Sequence, residues 1–391
     1  VAARRRVLHV TYAVARGGIE TWLCALLRQP PLRDMQFTLA YHRLDSAAMA
    51  GELREAGVEL VRLPGPRRPR TYRRALDELL RERQPLAAVH THVNFPGIVL
   101  QAARRAGVPV RIAQSHVAPA LATRGLIAGT YVRFTNRWFR DASTVRIAVS
   151  EPAVATLFGR RPPPRYPVIL LPCGIDIHDQ AEAASAVPAV PEGSGPTLAI
   201  VGRLSPEKNH GFAFRVLRSL QAEFPALRLL VIGAGEERAA LEAAVQRLGI
   251  EGQVLFLGER RDVPALLRSS VDVLLLPSLT EGASITVLEG QAAGVPCVVS
   301  PAVCRESVLS AALVRVLALD VGAWVEAIAD LLRRGPAPPA PARIAGTTMD
   351  IRYNARVLAA LYAGETPRDG LRHVDGSVAG GSEANASVGA G

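Results

Sequence analysis

Pro277-Ser278-Leu279-Thr280-Glu281-Gly282-Ala283-Ser284-Ile285-Thr286-Val287-Leu288-Glu289 follows the apolar run Val271–Leu276 and leads into a helix-length segment closed by Gly294-Val295-Pro296. A buried strand, a glycine turn and a helix, in that order, form the unit of a parallel α/β sheet. Gly282 lets the backbone approach a ligand closely, and the N–H groups of Ala283, Ser284, Ile285 and Thr286 are left without helical partners. That arrangement suits an anion such as a nucleotide phosphate. Gly282 and Glu289 are about two helical turns apart, so both project to one side. There the Glu289 carboxylate can accept hydrogen bonds from a ribose diol, with Glu281 at the loop tip where a sugar would lie. Two glutamates at this spacing are common, so the pair takes its meaning from its neighbours.

The same plan occurs upstream. Val201-Gly202-Arg203-Leu204-Ser205-Pro206-Glu207-Lys208-Asn209 also joins a buried strand to a helix. Its Arg203 and Lys208 supply cations where a diphosphate leaving group would develop charge. Val231-Ile232-Gly233-Ala234-Gly235-Glu236 is a third such turn, without the third glycine of a dinucleotide fingerprint. Near the start, Gly17-Gly18 opens a helix in the same manner. His92 ends one strand and His116 follows the next. A core role is the default for such histidines, but the carboxyl ends of parallel strands are also where cleft-lining groups sit.

Working outward, short branched-apolar runs alternate with helical segments along the chain. The strand-like runs are Val7–Tyr12, Phe37–Tyr41, Glu59–Leu63, Ala87–His92, Val110–Gln114 and Thr144–Val149, then Thr197–Val201, Leu227–Ile232, Val254–Leu257, Val271–Leu276 and Cys297–Ser300. The pattern predicts an α/β protein of two doubly wound, Rossmann-like parallel sheets facing across a cleft. The join falls near residues 172–195, within an Ala- and Pro-rich stretch. The expected domains are 1–175 and 176–347, followed by a helix at 348–363. Residues 364–391, rich in Gly, Ser and Ala, are expected to be disordered.

The 391 residues include 49% hydrophobic and 21% charged side chains, enough for two cores. No apolar stretch is long enough to span a bilayer. Arg4-Arg5-Arg6 before Val7–Val10 is too short and mixed for an export signal, so a cytoplasmic location is expected. Cys24, Cys173, Cys297 and Cys304 show no metal-type spacing and read as reduced, buried thiols. The net charge of +11 is concentrated in Arg67, Arg68, Arg70, Arg73 and Arg74, and in Arg133, Arg137 and Arg140. The second group shares Leu126–Arg140 with Leu126, Ile127, Tyr131, Phe134, Trp138 and Phe139. That segment either packs under the first sheet or touches an anionic membrane peripherally. No basic motif interleaved with aromatics and no helix-turn-helix pattern supports a nucleic-acid partner.

With these residues in place, the sequence resembles the retaining, family-four glycosyltransferases of the GT-B fold, nearest to bacterial capsule and exopolysaccharide transferases. The matching elements are Gly17-Gly18, His90-Thr91-His92, Ser115-His116, Pro172-Cys173-Gly174-Ile175-Asp176, Gly202-Arg203 with Lys208, and Glu281-x7-Glu289. The resemblance implies transfer from a nucleotide-diphosphate sugar, UDP favoured, to a hydroxyl of a glycan, lipid-linked or small-molecule acceptor. It implies no metal and no cofactor beyond that co-substrate. Arg203 and Lys208 would bind the diphosphate, Glu289 the ribose, Glu281 the transferred sugar, and the backbone of Ser284 to Thr286 the distal phosphate. His116 would line the reaction centre, Gly17-Gly18 the donor–acceptor junction and His92 the acceptor side, while the last helix crosses back to the N-terminal domain. Cys173 stands where the family usually has Asn, and Ala283 where it has a larger apolar residue. Pro301–Glu306 also departs from the pattern, which bears on sugar identity. A sugar-nucleotide epimerase shares the architecture, but would need acid and base groups on both sides of one sugar, and the N-terminal half offers no such acidic set.

Overall fold

A computed structural model describes residues 4–65, 68–93, 96–116, 141–159, 162, 167–177, 195–335, 341–367 and 371–374. The N-terminal half supplies strands β1 (Arg5–Val10), β2 (Ala13–Val14), β3 (Met35–Tyr41), β4 (Arg43–Leu44), β5 (Glu59–Arg62), β6 (Ala88–Thr91), β7 (Val110–Ser115), β8 (Val145–Ala148) and β9 (Val168–Leu170). The C-terminal half supplies β10 (Thr197–Val201), β11 (Arg228–Ile232), β12 (Val254–Gly258), β13 (Val273–Leu276), β14 (Cys297–Val299) and β15 (Val314–Val316), and β16 (His373–Val374) follows near the chain's end.

Two sheets result, in the orders β16-β9-β8-β7-β6-β1-β3-β5 and β12-β11-β10-β13-β14-β15, while β2 and β4 form a small ribbon. Apart from the antiparallel β16, every pairing in the two sheets is parallel. The central strands have the residues for this. Val7–Val10, Ala88–Thr91 and Val273–Leu276 are buried throughout, as strands covered by helices on both faces must be.

Helices α1 (Gly18–Leu27), α2 (Ala47–Glu55), α3 (Pro69–Glu82), α4 (Gly97–Arg105) and α5 (Glu151–Leu157) flank the first sheet. Helices α6 (His210–Leu220), α7 (Arg238–Leu248), α8 (Val263–Ser270), α9 (Ile285–Ala293) and α10 (Val321–Arg333) flank the second. Their ends follow local rules. Ser46, Ser150 and Asp320 cap α2, α5 and α10 by accepting backbone N–H bonds, and Gly249 and Gly294, both left-handed, close α7 and α9. Each sheet carries a buried cluster on either face.

Chain reversal occurs beside β1, which lies between β3 and β6, and beside β10, which lies between β11 and β13. Such switch points open a crevice at the carboxyl ends of the strands. The final helix α11 (Ile351–Tyr362) returns to the N-terminal sheet, and its Ile351, Ala355, Leu358 and Tyr362 join that sheet's core. The two interdomain crossings run side by side. Ile175 bridges Asp350, and a Cβ on Gly174 would lie 2.7 Å from the Met349 carbonyl. Asn354 Oδ1 accepts from Gly174 N at 2.7 Å and from Trp22 Nε1 at 2.9 Å, fastening both crossings to α1.

Order extends further into 364–391 than composition predicts. His373 and Val374 pair with Ile169 and Val168 at the edge of the first sheet, and Arg372 reaches Glu151 at 2.5 Å. The segments Leu126–Arg140 and 178–194, and Arg67, lie outside the described residues. Among the described residues no helix is long and apolar enough to cross a membrane.

A candidate active site in the cleft

Three loops of the second sheet are stitched together beyond the ends of β10, β11 and β13. Gly202 N donates to Ile232 O at 2.9 Å and Leu204 N to Ala234 O at 3.0 Å. Gly233 has φ +139, and a Cβ there would lie 1.9 Å from the Gly202 carbonyl, so only glycine fits. Leu279 N donates to Glu207 O at 2.8 Å, and left-handed Asn209 donates from Nδ2 to Pro277 O at 3.0 Å. This stitching brings Lys208 to Glu281 and lays its side chain against Gly202, next to Arg203. Lys208 Nζ lies 2.6 Å from Glu281 Oε1, which also accepts from Ser278 Oγ at 2.7 Å. Arg203 is exposed and reaches across the cleft, its guanidinium 3.4 Å from where a Cβ of Gly17 would be.

The other predicted glycines also face the opposite domain. A Cβ on Gly18 would meet Ile285 Cδ1 at 3.7 Å, and one on Gly282 would lie 2.3 Å from the His116 carbonyl oxygen. Ile285 and Leu288 of α9 pack into the N-terminal core cluster. At the cleft edge Glu52 pairs with Arg16 and, at 2.5 Å, with Arg261, while Ser46 donates to Glu259 at 2.7 Å.

The start of α9 presents the expected donors with one exception. Ser284 N donates to Ser307 Oγ at 2.9 Å and is occupied, whereas Ala283, Ile285 and Thr286 N–H find no acceptor among the described residues. Glu289, on the same helix, is half-buried, and burial lifts its carboxyl to about 7. The structure thus sets Gly17 against Arg203, Gly18 against Ile285, Gly282 against the His116 carbonyl and Lys208 against Glu281, with Ala283, Thr286 and Glu289 along the same loop and helix.

The histidines differ from expectation. His92 does not reach the acceptor side, because its ring is buried with one nitrogen on His9 at 3.0 Å and the other on His116 at 2.9 Å. The His116 imidazole points inward as well, and only its main-chain carbonyl meets Gly282. Both turn away because β1, β6 and β7 are adjacent and their carboxyl ends pack ring on ring, His9 stacking on His92 with centroids 5.3 Å apart. In-register pairing of His9 with His90 completes a cluster that sequence spacing hides. Among the described residues His9, His90 and His92 place ligand-type atoms within 4.8 Å of one another.

Sequence reasoning also missed Glu20 and Ser307. Glu20 sits in the first turn of α1, is buried, and accepts from Thr11 Oγ1 at 3.4 Å. Burial raises its carboxyl to about 7, opposed in part by Arg203 across the cleft. Its position two residues after Gly17-Gly18 was the available signal. Ser307 gave none, because the 3₁₀ turn Arg305–Ser307 has no strong sequence mark.

Comparison with known proteins gives the family. Residues 16–179 match the model of Glycosyltransferase Family 4, and residues 186–345 match that of Glycosyl transferases group 1. The putative glycosyltransferase EpsF of Bacillus subtilis (strain 168) is 30% identical over 94% of this chain and 99% of its own. The 2-deoxystreptamine glucosyltransferase of Streptomyces kanamyceticus is 28% identical over 56% of this chain and 60% of its own. Among solved structures, Anabaena HepE in complex with UDP and glucose superposes with a TM-score of 0.69 at 16% identity, covering 90% of this chain and 94% of that one. The chain therefore belongs to the group 1 glycosyl transferases and is a glycosyltransferase of the GT-B fold.

Proposed function

We propose that this chain transfers a hexose-type sugar from a UDP-sugar to a hydroxyl of a glycan, lipid-linked or small-molecule acceptor, with retention and without metal. The observation that carries this reading is the convergence of Arg203, the Lys208–Glu281 pair and the free N–H groups at the start of α9 on one side of a closed cleft. Cations and backbone donors placed there stabilise the charge that grows on a departing diphosphate. Lys208 is preorganised by Glu281, which leaves the remaining Glu281 oxygen for a sugar hydroxyl. Glu289, half-buried on the same helix, accepts hydrogen bonds from the ribose hydroxyls. The UDP and glucose bound by HepE lend support to the choice of donor. The His116 carbonyl, the Gly17-Gly18 turn and Glu20 line the opposite wall, where the acceptor hydroxyl enters. Glu20 is a carboxyl on that wall, engaged through Oε1 by Thr11 Oγ1; the route we favour is that a donor phosphate oxygen takes the acceptor proton, which keeps the anomeric configuration. Polysaccharide assembly at the cytoplasmic side of a membrane, with Arg68, Arg70, Arg73 and Arg74 near anionic lipid, suits the charge distribution.

The test is kinetic. Arg203→Ala and Lys208→Ala are expected to lower kcat by about 100-fold or more, as loss of transition-state charge stabilisation does. Glu289→Ala is expected mainly to raise the KM for the donor. Unchanged turnover in both cation variants, or activity abolished by a chelator and restored by a divalent ion, would sink the reading.

A further inference from the structure

One set of side chains, most of them buried, runs inward from the cleft wall in a continuous series of polar contacts. Cys173 Sγ lies 3.8 Å from His116 Nδ1, His116 Nε2 lies 2.9 Å from His92 Nδ1, and His92 Nε2 lies 3.0 Å from His9 Nδ1. His9 Nε2 then meets Tyr362 Oη at 3.4 Å, and Tyr362 Oη meets His90 Nδ1 at 2.8 Å. His9 and His90 are wholly buried, with Tyr362 1% and His92 5% exposed. Burial holds His9 and His116 down to about 3, and His90 and His92 well below the ordinary histidine value.

A neutral imidazole has one N–H and one lone pair. Three successive rings that use both nitrogens therefore allow only two complete proton arrangements, with every hydrogen directed inward or every one outward. The phenol decides between them. It is a better donor than acceptor, and its contact with His90 is the shorter, so Tyr362 O–H donates to His90 Nδ1. His9 must then donate from Nε2, and so must His92 and His116, while His116 Nδ1 accepts the weak Cys173 S–H. His90 Nε2, left with the N–H, lies beside the buried Gln114 amide, whose interaction with the ring works against the effect of burial.

The placement of the two ends gives the chain its meaning. Cys173 belongs to the linker between the domains, and Tyr362 closes the helix that crosses back. The ring nearest the cleft belongs to the residue whose carbonyl meets Gly282. We propose that Cys173, His116, His92, His9, Tyr362 and His90 form a one-directional hydrogen-bond relay that fixes the His116 carbonyl at the reaction centre and ties its orientation to the seating of both interdomain crossings. His92, His9 and Tyr362 are then positioning residues. The proposal rests on the glycosyl-transfer reading only for its kinetic readout.

The decisive experiment labels histidine with ¹⁵N in the full chain and reads ring tautomers by long-range ¹H–¹⁵N spectroscopy at neutral pH. All four buried histidines are expected to be neutral with the proton on Nε2. Tyr362→Phe, a small change that keeps the ring packing, is expected to alter the His116 nitrogen shifts three links away. With a turned-over UDP-sugar, Tyr362→Phe and Cys173→Ala are each expected to lower kcat about three- to tenfold, as loss of one hydrogen bond does, with donor KM within about twofold. The double variant should lose less than the product of the two effects. Mixed tautomers, a His116 signal indifferent to Tyr362→Phe, or strictly multiplicative losses would overturn the relay. So would one equivalent of zinc or copper in the purified protein, since the ion would take the same lone pairs. A protein with the expected spectra that transfers no sugar would count against the transfer reading and not against the relay.

Discussion

At the scale of single residues, the glycines carry the sharpest constraints. Gly233 cannot accept a methyl group, since its Cβ would sit 1.9 Å from the Gly202 carbonyl at φ +139. Gly249 also has a positive φ, +64, but faces open space. Gly233→Ala is therefore expected to cost upwards of about 2 kcal/mol and to displace Arg203, raising donor KM, whereas Gly249→Ala costs about 1 kcal/mol and leaves KM unchanged. Denaturant melts with donor titrations check the pair, and equal losses in both would contradict the stitched-loop account. The same scale explains what sequence could reveal of the site. Arg203 and Lys208, and likewise Glu281, Gly282 and Glu289, lie in single segments that each read as strand, turn and helix, so their proximity in sequence was visible locally. The roles of His92 and His116 were not. Whether a histidine at a strand end faces the cleft or its neighbours depends on which strands are adjacent, and residues 9, 90 and 116 become neighbours only through topology.

At the scale of elements, legibility follows burial. Thr197–Val201 was read to the residue, and β1, β3, β6 and β7 within about two, because strands covered on both faces are continuous apolar runs. The short strands β9, β15 and β16, at or next to a sheet edge, went unread. They are two or three residues long, and Val314-Arg315-Val316 and His373-Val374 lack the run that marks a central strand. The return of α11 shows the same limit in another form. Its amphipathic spacing announced a helix, but its destination rests on Asn354, a fully buried amide that joins Trp22 to Gly174, and on a side-by-side bridge at Ile175. Such polar ties between distant segments have no periodic signature. The start of α9 falls where the strand-turn-helix pattern sets it, and the occupancy of Ser284 N by Ser307 required the fold.

At the scale of the whole molecule, the buried histidines make stability depend on acidity. An unfolded imidazole takes a proton near pH 6.5, but His9 and His116 do so in the fold only near 3. Between those values the unfolded chain binds more protons, so the stability these groups confer is complete above pH 6.5 and is lost as pH falls toward 3. The slope is about 1.4 kcal/mol per pH unit for each such histidine. Glu20 and Glu289 oppose this between pH 7 and 4.5, where their folded carboxyls hold protons that the unfolded chain has released. These two pairs cancel between pH 6.5 and 4.5, but burial also holds His90 and His92 well below the ordinary value and His210 down to about 4, so the melting temperature is expected to decline from pH 6.5 and to fall more steeply below 4.5. A flat profile from pH 7 to 4 would show that the rings are not buried neutral.

The contact of Gly282 with the His116 carbonyl, beside the crossing of Arg203 to Gly17, bears on the timing of turnover. If the nucleotide is held between these two walls, its loading and discharge require them to part, and a large-scale opening belongs to each turnover. Motions of that kind proceed against solvent friction, whereas bond-breaking in a closed cleft does not. A kcat that drops in proportion to added viscogen would identify gate opening as the clock of the enzyme, and a kcat indifferent to viscosity would hand that role to the chemistry.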